Sequence, residues 1–241
     1  MSKPIQPTGR QPLLGTSAIA LAILFNAPYA VLAATFDYPQ VLRRPAGEVL
    51  DQFAAGGPGL VLTWYGFAVA ALALTPMALA LSLNPERLRR TPVLSIGAAL
   101  AGALAGVTQA MGLMRWVFVV PGLARDHMSQ EAGVRAGAEQ GFALLNAFGG
   151  VAIGEHLGQL LTAIFVLFLA LAQGAEGRKV TAAMGLMTAG AIALGTGEGL
   201  AMALGGDGGP FSLATIAGFL GLTIWLIATG AGLFKPSTAK V

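Results

Sequence analysis

Six long apolar runs alternate with short polar stretches along this chain, and each is at least as long as the roughly 20 residues a helix needs to cross a bilayer. They place membrane spans at about 14–35, 60–83, 93–119, 141–173, 180–204 and 211–234. The fourth run is longer than a bilayer requires, so it is expected to tilt or to project. Lys3 and Arg10 ahead of the first run imitate a signal peptide. However, the run from Leu13 to Thr35 is too long for such a core and reads as the first span. Pro28 and Pro76 fall inside spans one and two, where each removes a backbone donor and can kink its helix.

Two of the connections carry patterns of their own. Pro45 opens a helix whose Val49, Leu50 and Phe53 share one face, with Glu48, Asp51 and Gln52 elsewhere, and Gly56-Gly57-Pro58 stops it. That is the pattern of a short helix lying at the membrane interface. The stretch Ser129–Gln140 is polar and is expected to extend span four outward as a helix. The fold class that follows is all-α: a polytopic membrane bundle of six helices in one domain covering 1–241. The two halves of three spans do not match as an inverted repeat, because the long connection after span one has no counterpart after span four.

Composition supports this picture and narrows the chemistry. The chain is 55% hydrophobic and 10% charged, against about 25% charged in soluble domains. Its net charge of +3 sits at the ends of apolar runs rather than in a basic tract, so nucleic acid is not an expected partner; membrane lipid is. With no cysteine, disulfides, iron–sulfur clusters, thiolate-ligated zinc and thiol catalysis are excluded within the chain. Nucleotide-binding glycine loops, a GxSxG nucleophile, a calcium-binding loop and a Schiff-base lysine in the last two spans are all missing from the sequence.

Orientation follows from lysine and arginine placement. One side receives Lys3, Arg10, Arg87, Arg89, Arg90, Arg178, Lys179, Lys235 and Lys240; the other receives Arg43, Arg44, Arg125 and Arg135. Both termini are therefore expected in the cytoplasm of a bacterial cell, with the chain in the inner membrane. Lipid tails give helices no hydrophobic push toward one another, so close packing needs small residues. Gly150, Gly154 and Gly158 in span four, Gly102 and Gly106 in span three, and Gly195 and Gly199 in span five supply them. These three helices are expected at the bundle centre.

Ionisable residues within spans are costly in lipid and by default mark a buried polar site. Here they are Arg115, the Glu155-His156 pair and Glu198, joined by neutral Asn26, Tyr29, Gln109 and Asn146. All fall in the outer halves of their spans, which predicts an outward-facing polar pocket beneath the connections 36–58 and 120–140. Glu155 shares its helix face with Gln159 and Thr162, while His156 points elsewhere. Glu155 and Glu198 at one depth would share a proton. Arg115 is a candidate bidentate partner for such a carboxylate, or it reaches to the interface beside Trp116. His156 is the intramembrane histidine through which a metal or haem would bind, with a second ligand required from elsewhere.

The runs Phe36-Asp37-Tyr38-Pro39-x2-Leu42-Arg43-x-Pro45, Trp64-Tyr65-x-Phe67-Ala68, Arg115-Trp116-Val117-Phe118-Val119-Val120-Pro121 and Gly154-Glu155-His156-Leu157-Gly158 resemble those of a bacterial family of membrane proteins with six or seven spans. That family is catalogued as a domain of unknown function, so the resemblance implies a fold and no activity. It also implies a histidine where this chain has Gly122, so a metal role resting on that position is lost here. Three functions remain open: a carrier or binding protein for a small solute or protons, with no catalytic residue assigned; an accessory subunit, self-associated or docked in a larger membrane complex; and an intramembrane metal or haem enzyme using His156.

Overall fold

The computed structural model describes residues 10–235. It contains six helical units long and apolar enough to cross a membrane. Span one is α1 (Pro12–Phe36), and Pro28 lies inside it without ending it. A 3-10 turn at Gln40–Arg43 leads to α2 (Ala46–Ser82), whose later part is span two. The short α3 (Pro85–Arg90) is capped by Asn84, which accepts from the Arg87 amide at 2.9 Å. Span three is α4 (Pro92–Phe118), continued past a turn at Val119 by α5 (Val120–His127). Span four joins α6 (Ala132–Leu145), a π-helical stretch Asn146–Leu157 and α7 (Gly158–Ala175). Span five is α8 (Lys179–Gly195) and α9 (Gly197–Ala203), and span six is α10 (Gly209–Gly232).

The expected short helix of the first connection is the leading part of α2. Gly57, at φ 60° and ψ −162°, takes a backbone conformation open to glycine and turns the chain into span two. Val49, Leu50 and Phe53 are buried as the spacing required. Their partner is the bundle itself: Phe53 stacks on Trp116 at 5.8 Å, and Trp116 stacks on Trp64 at 4.7 Å. Phe36 and Phe142 meet Trp116 edge-on, at 5.5 and 5.7 Å. This aromatic core fastens the 37–58 connection over one end of the bundle, which is here called the capped end.

The other end carries the basic connections. Arg87 forms an ion pair with Glu176, bringing the connection after span two beside the one after span four. The backbone amide of Gln11 donates to Leu233 O at 2.9 Å nearby in the chain path, tying the start of span one to the end of span six. Lys3 and Lys240, which share the sidedness argument with these residues, lie outside the described residues.

Each span packs against its neighbour in sequence, and span one also meets span six, so the bundle closes as a ring. Spans two, three and four are at least half buried, whereas one, five and six are a third buried or less. The centre therefore contains span two where span five was expected. The reason lies with span three: Gly102 faces Ala78 and Phe165, and Gly106 faces Thr75 and Ala71, so its small residues serve span two as well as span four. Gly195 instead admits Thr215 of span six, and Gly199 faces Val151 and His156.

Candidate functional site

A cavity of about 370 Å³ lies between spans one, three, four and six, under a roof of Tyr38, Pro39 and Leu42. That volume is within the range of small-molecule sites, about 300–1,000 Å³. Apolar walls come from Phe25, Phe67, Phe219, Leu222 and Leu226. Polar groups enter from Arg115 and Gln109 on span three, Glu155 and Gln159 on span four, and Asn26 and Tyr29 on span one. Asn26 is already engaged: its amide donates to Ala22 O at 2.7 Å and to Thr223 Oγ1 at 2.9 Å, linking spans one and six. Gln109 is likewise engaged, donating to Thr162 Oγ1 at 2.8 Å.

Arg115 is the unusual member, with 7% of its surface exposed. Its Nη1 donates to Gly112 O, and its Nη2 donates to Asn146 Oδ1 at 3.1 Å. Asn146 in turn donates to Leu42 O at 3.3 Å, so one amide connects the guanidinium to the roof. The Arg115 Nε–H is buried and has no partner. No carboxylate among the described residues lies within ion-pair distance of Arg115. The guanidinium carbon sits 5.1 Å from the Trp116 ring centre, a cation–π contact.

Neither expected place for Arg115 is the one found, and the geometry explains why. A helical side chain leans toward the N-terminus of its helix. The Arg115 fork therefore falls beside Gly112, away from the interface. Span four leaves a hole there: a Cβ on Gly150 would lie 2.6 Å from Arg115 Nη2 and 2.8 Å from its Cζ. Gly112 and Gly154 touch through backbone, since a Cβ on Gly112 would meet Gly154 Cα at 2.6 Å. Gly158 makes the corresponding room for Gln109. The glycine stripe of span four thus presses against span three, and the widened π-helical turns around Gly149–Gly154 present Glu155 to the cavity.

The carboxylates are held by a residue the sequence reading had counted only as an outer charge. Arg43 Nη2 donates to Glu155 Oε2 at 2.7 Å and to Glu198 Oε1 at 3.0 Å, and its Nε reaches Glu198 Oε1 at 3.3 Å. One guanidinium from the roof therefore lies between carboxylates of spans four and five. Burial pushes the Arg43 pKa down, but the two carboxylates outweigh it and hold the group above the ordinary guanidinium value. Glu155 Oε1 is buried without a hydrogen-bond partner, as is Gln159 Oε1 one turn further along the helix. Tyr38 also belongs to the site; burial pushes its phenol pKa up, and the Glu155 carboxylate adds to the shift. Both Arg43 and Tyr38 stand in the run Phe36–Pro45, the one signal by which they were within reach of the sequence.

His156 does not line this cavity. It borders a second one of about 460 Å³, with Asn146, Val151, Ala152 and Met202. Its Nδ1 lies 3.0 Å from Thr196 O, so Nδ1 carries the proton and Nε2 is left as the atom for a ligand. Among the described residues, no three His, Cys, Asp or Glu side chains converge as a metal would need. His127, in α5, is placed between Asp51 and Glu139 at 3.3 Å each.

A family model described as "Domain of unknown function (DUF4386)" matches residues 13–230. No curated protein and no solved structure matches the chain.

Proposed function

We propose that this chain, which belongs to the family of the domain of unknown function DUF4386, is an inner-membrane binding protein or carrier for a small solute held in the cavity between spans one, three, four and six. The observation that carries this reading is the cavity itself: about 370 Å³ of largely apolar-walled space on which Arg115 of span three and Glu155 and Gln159 of span four converge. Ionisable groups are costly within a bilayer and by default mark a polar site. A small solute in that space would meet both charges.

Glu155 and Glu198 enter the reading through Arg43. Because one roof guanidinium ties both carboxylates, releasing it would leave the 37–45 connection held to span four through the Asn146–Leu42 hydrogen bond and loosen the roof over the cavity. The capped end faces outward by the distribution of lysine and arginine. The cavity then opens toward the periplasmic half of the membrane.

Native mass spectrometry on protein extracted gently from its own membrane tests the reading. A small molecule bound to the lone chain and lost in Arg115→Gln supports it. A bare wild-type chain overturns it, and added mass that proves to be a partner polypeptide retained in Arg115→Gln overturns it in favour of an accessory subunit.

A further inference from the structure

The capped end is assembled from three pieces: the leading part of α2, the short α5 and α6. Leu50 and Phe53 of α2, Val120 and Ala124 of α5, and Ala138 and Phe142 of α6 pack them into one apolar cluster. Away from that packing, the three pieces meet at a single side chain, His127 of α5. Its Nε2 lies 3.3 Å from Asp51 Oδ1 of α2, and its Nδ1 lies 3.3 Å from Glu139 Oε1 of α6. Gly47 brings α2 in close: a Cβ there would stand 3.3 Å from both His127 Cε1 and Glu139 Oε1. The imidazole is 11% exposed, whereas the Asp51 and Glu139 side chains are 65% and 45% exposed. The ring is thus enclosed between two carboxylates that reach water.

That placement asks for a charge on the ring. A neutral imidazole has one N–H and one bare lone pair. It can donate toward one carboxylate but must turn the lone pair toward the other. The imidazolium carries a proton on each nitrogen and serves both. His127 also stands in the last turn of α5, where the helix carbonyls favour a cation. Neighbouring charges are engaged elsewhere. Arg135, one turn before Glu139, donates to Ser129 O at 2.8 Å and to Gln130 O at 3.2 Å. Arg44 is turned to Asp37 and Gln52. Among the described residues, Glu48 of α2, Arg125 and Asp126 of α5, and Glu131 ahead of α6 make no ion pair with the ring.

We propose that His127 is a proton-operated clasp on the cap. When protonated, it draws α2 and α6 together across α5. When deprotonated, it loses its hold on one carboxylate and the cap loosens. An ordinary imidazole changes charge between pH 5 and 8. The clasp is therefore closed in the acid part of that window and released as pH rises through it. With the capped end outward, it responds to the pH outside the cytoplasm. Its effect reaches the cavity through Phe53 of α2, which stacks on Trp116, a residue of the cavity wall. The clasp acts on the cap itself, so it stands or falls apart from the solute reading.

Tryptophan quenching by acrylamide reads the clasp. Trp64 and Trp116 are fully buried beneath the cap, stacked on each other and on Phe53. Trp225 belongs to the other apolar cluster and supplies a constant background. The full chain in phosphatidylcholine nanodiscs would be measured from pH 5.5 to 8.5. The wild-type quenching constant is expected to rise across that range, as the closed-to-open ratio falls about fivefold, the scale of two partly exposed ion pairs. His127→Gln should give a flat profile at the wild-type alkaline level. The double variant Asp51→Asn, Glu139→Gln, which changes only the two exposed partners, should also be flat and decides the matter if His127→Gln does not fold. His156→Gln removes the one other histidine of the chain and should keep the wild-type profile. A flat wild-type profile, or a rise that survives in folded His127→Gln or in the double variant, or one that vanishes in His156→Gln, overturns the proposal.

Discussion

Removing Arg43 tests whether the roof is electrostatically fastened to the bundle. Arg43→Gln leaves the Glu155 and Glu198 carboxylates facing a neutral amide where a guanidinium had donated to both, at 2.7 and 3.0 Å. Breaking a fully buried ion pair costs about 3–5 kcal/mol, whereas an exposed pair is worth about 0–1 kcal/mol. The three side chains are 30%, 22% and 17% exposed, so solvent screens part of the interaction and the lower half of that interval applies. We expect a loss of about 2 kcal/mol, or a shift of about 4–8 °C in the unfolding midpoint for a chain of this size. The assay is unfolding in mixed micelles, followed by near-ultraviolet circular dichroism. The decisive comparison is the triple variant Arg43→Gln, Glu155→Gln, Glu198→Gln. With no charge left in the cluster, it should recover at least half of the loss. If the triple variant is as unstable as Arg43→Gln, or if Arg43→Gln is neutral, the cluster does not fasten the roof.

Three further outcomes follow from particular contacts. Gly150→Ala places a methyl 2.6 Å from Arg115 Nη2; it should cost about 1–3 kcal/mol by overpacking and reduce ligand occupancy in native mass spectra, and an unchanged occupancy would show that the guanidinium does not need that hole. Gly57→Ala must adopt φ 60°, ψ −162°; a loss of about 1–3 kcal/mol in thermal unfolding is expected, and wild-type stability would mean the turn into span two is readily rebuilt. The raised Tyr38 pKa means its neutral phenol is favoured in the folded chain. Its contribution is complete below the ordinary value of 10.0 and is lost as pH rises above it. Stability measured from pH 8 to about 11.5 should therefore fall less steeply in Tyr38→Phe than in the wild type, and identical slopes would contradict the assignment.

The fold was legible because each signal was long and redundant. A bilayer leaves few alternatives to a helix for an apolar run of this length, and the span from Gly209 to Gly232 is recovered within two residues of its expected ends. The amphipathic helix bearing Val49, Leu50 and Phe53 was legible for a similar reason, since three apolar residues on one face leave one way to bury them. Its partner was not, because stacking on Trp116 depends on how distant spans meet. The site was legible by residue type, not by pairing. Polar residues in lipid reveal themselves, and Asn26, Tyr29, Gln109, Arg115 and Glu155 do line one cavity. Which carboxylate meets which arginine depends on the π-helical widening around Gly149–Gly154 and on the leaning of Arg115 toward Gly112. Arg43 was missed for a different reason: a charged loop residue looks solvated until the loop folds back.

The most direct test of the central claim is an experimental density map of the chain in lipid nanodiscs prepared from its native membrane. The account predicts density for a bound small solute in the cavity between spans one, three, four and six, beside Arg115 and Glu155. A collapsed cavity with Arg115 paired directly to Glu155 would contradict it.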